Sequence, residues 1–177
     1  ILPFGALTLT EKFADPTLPP EKVTENIEKF FYEQLESLPW LKELDPDTQL
    51  IGVGGSFRNL SRIVIKINNY PLNMVHNYKV QRSDLIRIYD KMRVLNLDKK
   101  MKIKGLSSLR ADVFPGALAA MKALVDHCGF ETFITSSCGL REGFMFNYAV
   151  PLTIEKPIND VLGHSLMTYV KLLQQDR

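Results

Sequence analysis

The chain has 177 residues, 45% of them apolar and 24% charged, which is the size and balance of one globular domain or two small ones. No apolar run approaches the length of a membrane span, and Ile1-Leu2-Pro3-Phe4 lacks the basic-then-apolar order of a secretory leader, so a cytoplasmic protein is expected, with no membrane partner. The net charge of +2 hides an asymmetry: residues 1–57 hold four Lys/Arg against ten Asp/Glu (−6), residues 58–110 thirteen against three (+10), and the remainder is at −2. A basic middle third is a footprint for an anionic partner, set against the plainer reading of helix-surface charges scattered over several faces.

In chain order, residues 5–13 alternate through Leu7, Leu9 and Phe13 and predict a strand. Asp15-Pro16 to Pro19-Pro20 breaks it. Pro20 and Glu21 open a helix with an apolar stripe of Val23, Ile27, Phe30, Phe31, Leu35 and Leu38, stopped by Pro39. Trp40 and Leu41 are expected to pack beneath it. A strand is predicted from about Thr48 to Val53, followed by Gly54-Gly55-Ser56 and a helix to about Ile67 carrying Phe57, Leu60, Ile63, Val64 and Ile67. Glycines at a strand-to-helix junction let backbone N–H groups approach a bound group, and the helix start adds free donors and partial positive charge. That suits a phosphate. The signal is neither a Walker loop nor a complete G-x-G-x-x-G, and a tight turn that merely avoids steric clash remains the alternative.

Tyr78-Lys79-Val80 reads as a short extended piece. Ser83 is expected to cap a helix that turns Leu85, Ile88, Met92 and Leu95 inward, and Asp98 to cap a lysine-rich segment stopped by Gly105. Ser107 or Ser108 opens a helical stretch that Pro115-Gly116 should kink. Its small residues, Ala111, Gly116, Ala117, Ala119, Ala120 and Ala123, imply either a close backbone approach or a tightly packed core helix. Gly129 caps it. Residues 131–136 form a strand, Ser137-Cys138-Gly139 a second small-residue turn, and Arg141-Glu142-Gly143 the start of a short helix with Phe144, Met145 and Tyr148. Ligands in open α/β sheets bind at the carboxyl ends of strands, so both glycine turns are expected on one edge. Residues 159–177 read as an apolar-striped helix. Cys128 and Cys138 are expected to be buried and reduced, and His76, His127 and His164 close no ligand pattern.

Several of these segments resemble one family. Leu2-Pro3-Phe4-Gly5-Ala6-Leu7-Thr8-Leu9-Thr10-Glu11, Gly52-Val53-Gly54-Gly55-Ser56-Phe57-Arg58-Asn59-Leu60-Ser61-Arg62-Ile63, Leu106-Ser107 with Arg110 to Ala117, and Ser136 to Gly143 are similar, in order, to motifs of the exopolyphosphatase / guanosine pentaphosphate phosphohydrolase (Ppx/GppA) family. The tail matches only loosely. The resemblance implies an α/β fold of the ribonuclease-H-like, actin-like superfamily, a mixed sheet flanked by helices. Residues 1–150 would be the second such domain of the phosphatase, with its first strands missing, and 151–177 a C-terminal linker or helix.

It further implies that Gly54, Gly55, Ser56 and Arg58 contact phosphate or nucleotide, within a segment matching the superfamily's adenosine motif. The family usually has Thr at Ser56, and Ser keeps the hydroxyl. Asp112, Pro115 and Gly116 would lie at an interdomain hinge. The first domain, with the glutamate that serves as general base, and the DxGGGS phosphate loop are not in this sequence. No catalytic residue is therefore assigned here, and the chain alone is expected to be inactive. Mg²⁺ is expected for the full-length enzyme, but the sequence offers no defensible metal site; Asp112 is the nearest carboxylate and reads better as a hinge or surface group.

The expected partners are polyphosphate or guanosine pentaphosphate, the missing first domain, and a second copy if the strand at 5–13 leaves an open sheet edge. The alternative function is a non-catalytic regulatory domain that binds (p)ppGpp or another polyanion. Nucleic acid has no reader motif to support it.

Overall fold

The computed structural model describes residues 2–149, with side chains described as far as Met145. Ile1–Cys138 and Gly139–Arg177 form two compact units. The first begins with α1 (Ala6–Phe13) and α2 (Pro20–Glu36), then a 3-10 turn over Pro39–Glu43. It continues through β1 (Leu50–Val53), α3 (Gly55–Ile67), β2 (Tyr78–Gln81), α4 (Arg82–Arg93) and α5 (Leu97–Met101). A 3-10 turn at Ser108–Arg110, α6 (Phe114–Cys128) and β3 (Thr132–Ser136) complete it. The second unit contributes α7 (Leu140–Ala149).

The described strands make a mixed three-stranded sheet in the order β1-β3-β2. β1 runs parallel to β3 with Leu50 opposite Phe133 and Val53 opposite Ser136, so the two carboxyl ends share an edge. β2 is antiparallel to β3, with Val80 opposite Phe133. The α/β reading therefore holds. Side chains alternate across a strand, so Leu50, Phe133 and Val80 share one face, and Val80, Phe133 and Thr135 on it are buried. α3 lies against all three strands. Ser61 and Thr135, both fully buried, share a hydrogen bond of 2.6 Å between their hydroxyls, which satisfies two polar groups inside an apolar core. Phe57 meets Phe133 edge to face, with centroids 5.5 Å apart. A Cβ at Gly52 would sit 2.3 Å from the Phe57 ring, so this glycine is what lets the ring close over the strand.

The predicted strand at 5–13 is instead the helix α1. Ala6, Leu9 and Phe13 stand three and four residues apart, one helix face, and Leu9 is buried in the core shared with α2 and α6. Thr8 Oγ1 accepts from the Gly5 N–H at 2.8 Å and holds the helix start. Phe4 and Phe13 both pack on the Phe30 ring, with Lys12 Nζ 3.8 Å from its centroid. An open edge at 5–13 therefore provides no basis for a second copy.

Smaller differences have equally local causes. Trp40 is exposed, whereas Leu41 is buried. α4 starts at Arg82, one residue before the expected Ser83 cap. Asn96, not Asp98, caps α5, its side chain accepting from the Lys99 N–H. Pro115 does not kink a continuous helix: it lies in the first turn of α6, where a missing N–H removes no helical bond. The small residues there belong to a packed core helix. A Cβ at Gly116 would lie 2.9 Å from Thr10 Oγ1 and 3.3 Å from Ile27 Cδ1, so α1 and α2 make the close approach. Gly129 ends α6 at φ +71°, as expected. Both cysteines are free thiols, but only Cys128 is partly covered, and Cys138 is exposed. Residues 150–177, including His164 and the striped tail, lie outside the described residues.

Candidate functional site

The carboxyl edge of β1 and β3 gathers most of the expected site residues. Gly54 has φ +107° and ψ 179°, a conformation that in practice only glycine adopts, and it turns the chain from β1 directly into α3. No side chain caps α3, and the N–H groups of its first turn have no earlier helical carbonyl to bond. Gly55, Ser56 and Arg58 are partly exposed there. Donors, helix-end charge and a guanidinium thus meet at one place.

Arg58 Nη1 donates to the Ser137 carbonyl at 3.1 Å. This ties the α3 start to the turn that follows β3, and among the described residues no other partner engages the guanidinium fork. His76 Nδ1 accepts from the Ser137 N–H at 3.2 Å, so this histidine has a structural role in the same turn. Ser136 Oγ in turn accepts from the Cys138 N–H at 3.1 Å.

Two contributors were not singled out from the sequence. The Arg110 guanidinium lies directly over Gly55: a Cβ on that glycine would be 2.5 Å from Arg110 Cζ. Asn59, 2% exposed, donates from Nδ2 to the Gly55 carbonyl at 2.8 Å and accepts at Oδ1 from the Ser107 N–H at 2.9 Å. One buried amide therefore locks the glycine turn to the segment that carries Arg110. The signal for Asn59 was a polar residue on the apolar side of a helix. Arg110 lay within a resembling motif, but nothing local in sequence reveals a partner more than fifty residues away.

The basic middle third separates into two populations. Arg82 pairs with Asp126 at 2.7 Å, Arg87 with Asp84 at 2.6 Å, and Arg93 with Glu25 at 3.1 Å. Among the described residues, no ion pair forms at Arg58, Arg62, Lys66 or Arg110, nor at Lys79, Lys91, Lys99, Lys100, Lys102 or Lys104. The uncompensated charge is therefore spread along the chain, and part of it, at Arg58 and Arg110, lies beside the glycine turn.

Asp112 is exposed and its Oδ1 accepts from its neighbour's N–H, that of Val113, at 2.8 Å. Pro115 and Gly116 are buried at the start of α6. Among the described residues, no group of three or more His, Cys, Asp or Glu side chains is placed to hold a metal ion, and none of their helices is long and apolar enough to cross a membrane. A recess of about 310 Å³ lies at the opposite, amino ends of β1 and β3, lined by Thr48, Leu50, Phe130, Glu131 and Thr132 among others. Ligands of open α/β sheets sit at the carboxyl edge, where the uncapped helix start also lies, so the glycine turn is the stronger candidate.

A parallel strand pair, a glycine-led helix start and two guanidinium groups at the carboxyl edge give this α/β protein an edge of backbone donors and positive charge, features that suit an anion. Residues 2–150 match the model of the Ppx/GppA phosphatase family, and the chain belongs to that family. No curated protein sequence matches it. Among solved structures it is similar to the Aquifex aeolicus Ppx/GppA family member, with a TM-score of 0.68 and 22% identity over 84% of this chain and 47% of that one. It is likewise similar to an exopolyphosphatase from Cytophaga hutchinsonii, with a TM-score of 0.71 and 20% identity over 88% of this chain and 50% of that one. The shared fold is ribonuclease-H-like. The chain spans about half the length of these structures.

Proposed function

We propose that residues 1–150 are the second ribonuclease-H-like domain of an exopolyphosphatase-type hydrolase in the cytoplasm. The full-length enzyme releases terminal phosphate from inorganic polyphosphate or guanosine pentaphosphate, and residues 151–177 are a linker or helix beyond the domain. The observation that supports this best is an uncapped, glycine-led helix start that carries Arg58 and has the Arg110 guanidinium packed over its first residue, Gly55.

The chemistry follows from that arrangement. The N–H groups of Gly55 and Ser56 and the Ser56 hydroxyl donate to phosphate oxygens. The two guanidinium forks neutralise charge and fix orientation. Breaking a phosphoanhydride depends mainly on positioning, charge neutralisation and an oriented water. The general base for that water belongs to the first domain, and the described residues of this chain supply no Mg²⁺ ligand set. Asp112, Pro115 and Gly116 form the pivot between the domains.

The reading is tested by phosphate release from polyphosphate with the full-length protein. Arg58→Ala and Arg110→Ala should each lower kcat/KM by about 10- to 100-fold, the loss of a charged hydrogen bond. The 177-residue chain alone should release none. Unchanged kcat/KM in both variants contradicts the assignment. Binding of (p)ppGpp without turnover by the full-length protein would mark it instead as a regulatory domain.

A further inference from the structure

Ser137, the first residue after β3, is held on both sides. β2 and β3 are antiparallel with Tyr78 opposite Thr135, so the register carried on by two residues brings His76 level with Ser137. Asn77, at φ +61°, keeps that register: its N–H donates to the Thr135 carbonyl at 2.8 Å. His76 Nδ1 then accepts from the Ser137 N–H at 3.2 Å. On the other side, β1 runs parallel to β3 with Val53 opposite Ser136, which sets the start of α3 beside the same residue. There Arg58 Nη1 donates to the Ser137 carbonyl at 3.1 Å. The N–H and the C=O of one residue thus join a histidine to the arginine of the glycine turn.

This contact distinguishes His76 from the other described histidine, His127, whose two ring nitrogens are buried without a hydrogen-bond partner. An imidazole that accepts at Nδ1 carries its proton on Nε2. The loop that brings His76 here has little other hold on the core: Leu72 is 55% exposed and Met74 46%. Arg58 depends on the carbonyl in turn. An arginine side chain has many rotamers, and one fixed before a phosphate arrives loses less entropy on binding it.

We propose that His76 is a positioning residue for the phosphate site: it fixes Ser137 by its N–H, and the Ser137 carbonyl then fixes the Arg58 guanidinium at the glycine turn. This rests on the phosphate-site reading above. A histidine that only fastened its own loop would leave Arg58 indifferent to its loss, and that difference is measurable.

The test is calorimetric binding of tripolyphosphate to the chain and to His76→Ala, His76→Asn, Arg58→Ala and the double variant His76→Ala/Arg58→Ala. His76→Ala should weaken binding about fivefold, the worth of one hydrogen bond. His76→Asn, whose Oδ1 takes the place of Nδ1 as acceptor, should stay within about twofold of the wild type. In the Arg58→Ala background the loss from His76→Ala should shrink below about twofold, because no guanidinium is left to place. Should His76→Ala fail to fold, His76→Gln, whose carbonyl falls near the Nε2 position instead, replaces it with the same expectation. Equal losses in the alanine and asparagine variants, full additivity with Arg58→Ala, or no loss in His76→Ala each overturn the proposal and leave the phosphate site intact. A wild-type chain that does not bind tripolyphosphate, or an Arg58→Ala variant that binds it as well as the wild type, overturns the role of Arg58 and that of His76 with it.

Discussion

The guanidinium of Arg110 occupies the space that a Gly55 side chain would fill, 2.5 Å from the position of its Cβ. One consequence separates binding from stability. Gly55→Ala introduces a good helix former at the first position of α3, where the backbone needs no positive φ. Arg110 is the flexible partner and must swing away. Thermal stability should change by less than about 1 kcal/mol, whereas affinity for tripolyphosphate should fall by about tenfold. Calorimetry on the same sample checks both, and unchanged affinity would show that Arg110 takes no part.

Gly54→Ala should behave in the opposite way. At φ +107° and ψ 179° an alanine is strained whatever space surrounds it. A stability loss of about 1–3 kcal/mol is expected. Chemical denaturation measures it, and wild-type stability in the variant would show that the turn can relax.

Asn59 bonds the Gly55 carbonyl and the Ser107 N–H while 2% exposed. Asn59→Leu takes this partner from two part-buried groups and should cost about 1–3 kcal/mol. Phosphate affinity should fall as well, because the segment bearing Arg110 is no longer held to the turn. Denaturation and a binding titration report the two effects separately.

This pattern marks where the sequence was legible. The strand, glycine turn and helix around Gly54 were readable because their apolar spacing and their turn residues agree. Residues 5–13 were not, because Leu7 and Leu9 alternate as in a strand while Ala6, Leu9 and Phe13 repeat as in a helix, and only burial of Leu9 decides between them. Asn96 and Asp98 are equally good caps in composition; the backbone chose the earlier one. The placement of Arg110 over Gly55 depends on tertiary packing through Asn59, which no local pattern encodes.

Away from the site, Lys122 Nζ lies 2.6 Å from Glu28 and 2.9 Å from Asp126, and Asp126 also meets Arg82. Burial works against the charge on Lys122, but its two carboxylate partners outweigh it and raise the pKa above the ordinary 10.5. Burial likewise opposes the Asp126 charge, and Lys122 and Arg82 outweigh it to lower that pKa below 3.8. A raised lysine contributes stability that is lost as pH climbs through its folded value, and a lowered aspartate stability that is lost as pH drops through its own. Stability should therefore decline at both extremes, and Lys122→Met should flatten the alkaline limb. Melting temperatures across pH measure this, and an unchanged alkaline limb in Lys122→Met would contradict the coupling.

The most direct measurement is a titration of the isotopically labelled chain with tripolyphosphate, followed residue by residue by NMR. The expected result is saturable shifts at the amides of Gly54, Gly55 and Ser56 and at the side chains of Arg58 and Arg110, weakening as salt rises. Shifts confined to the recess around Phe130 and Thr132 at the other end of the strands, or none at the glycine turn, would contradict the assignment of this edge as the phosphate site.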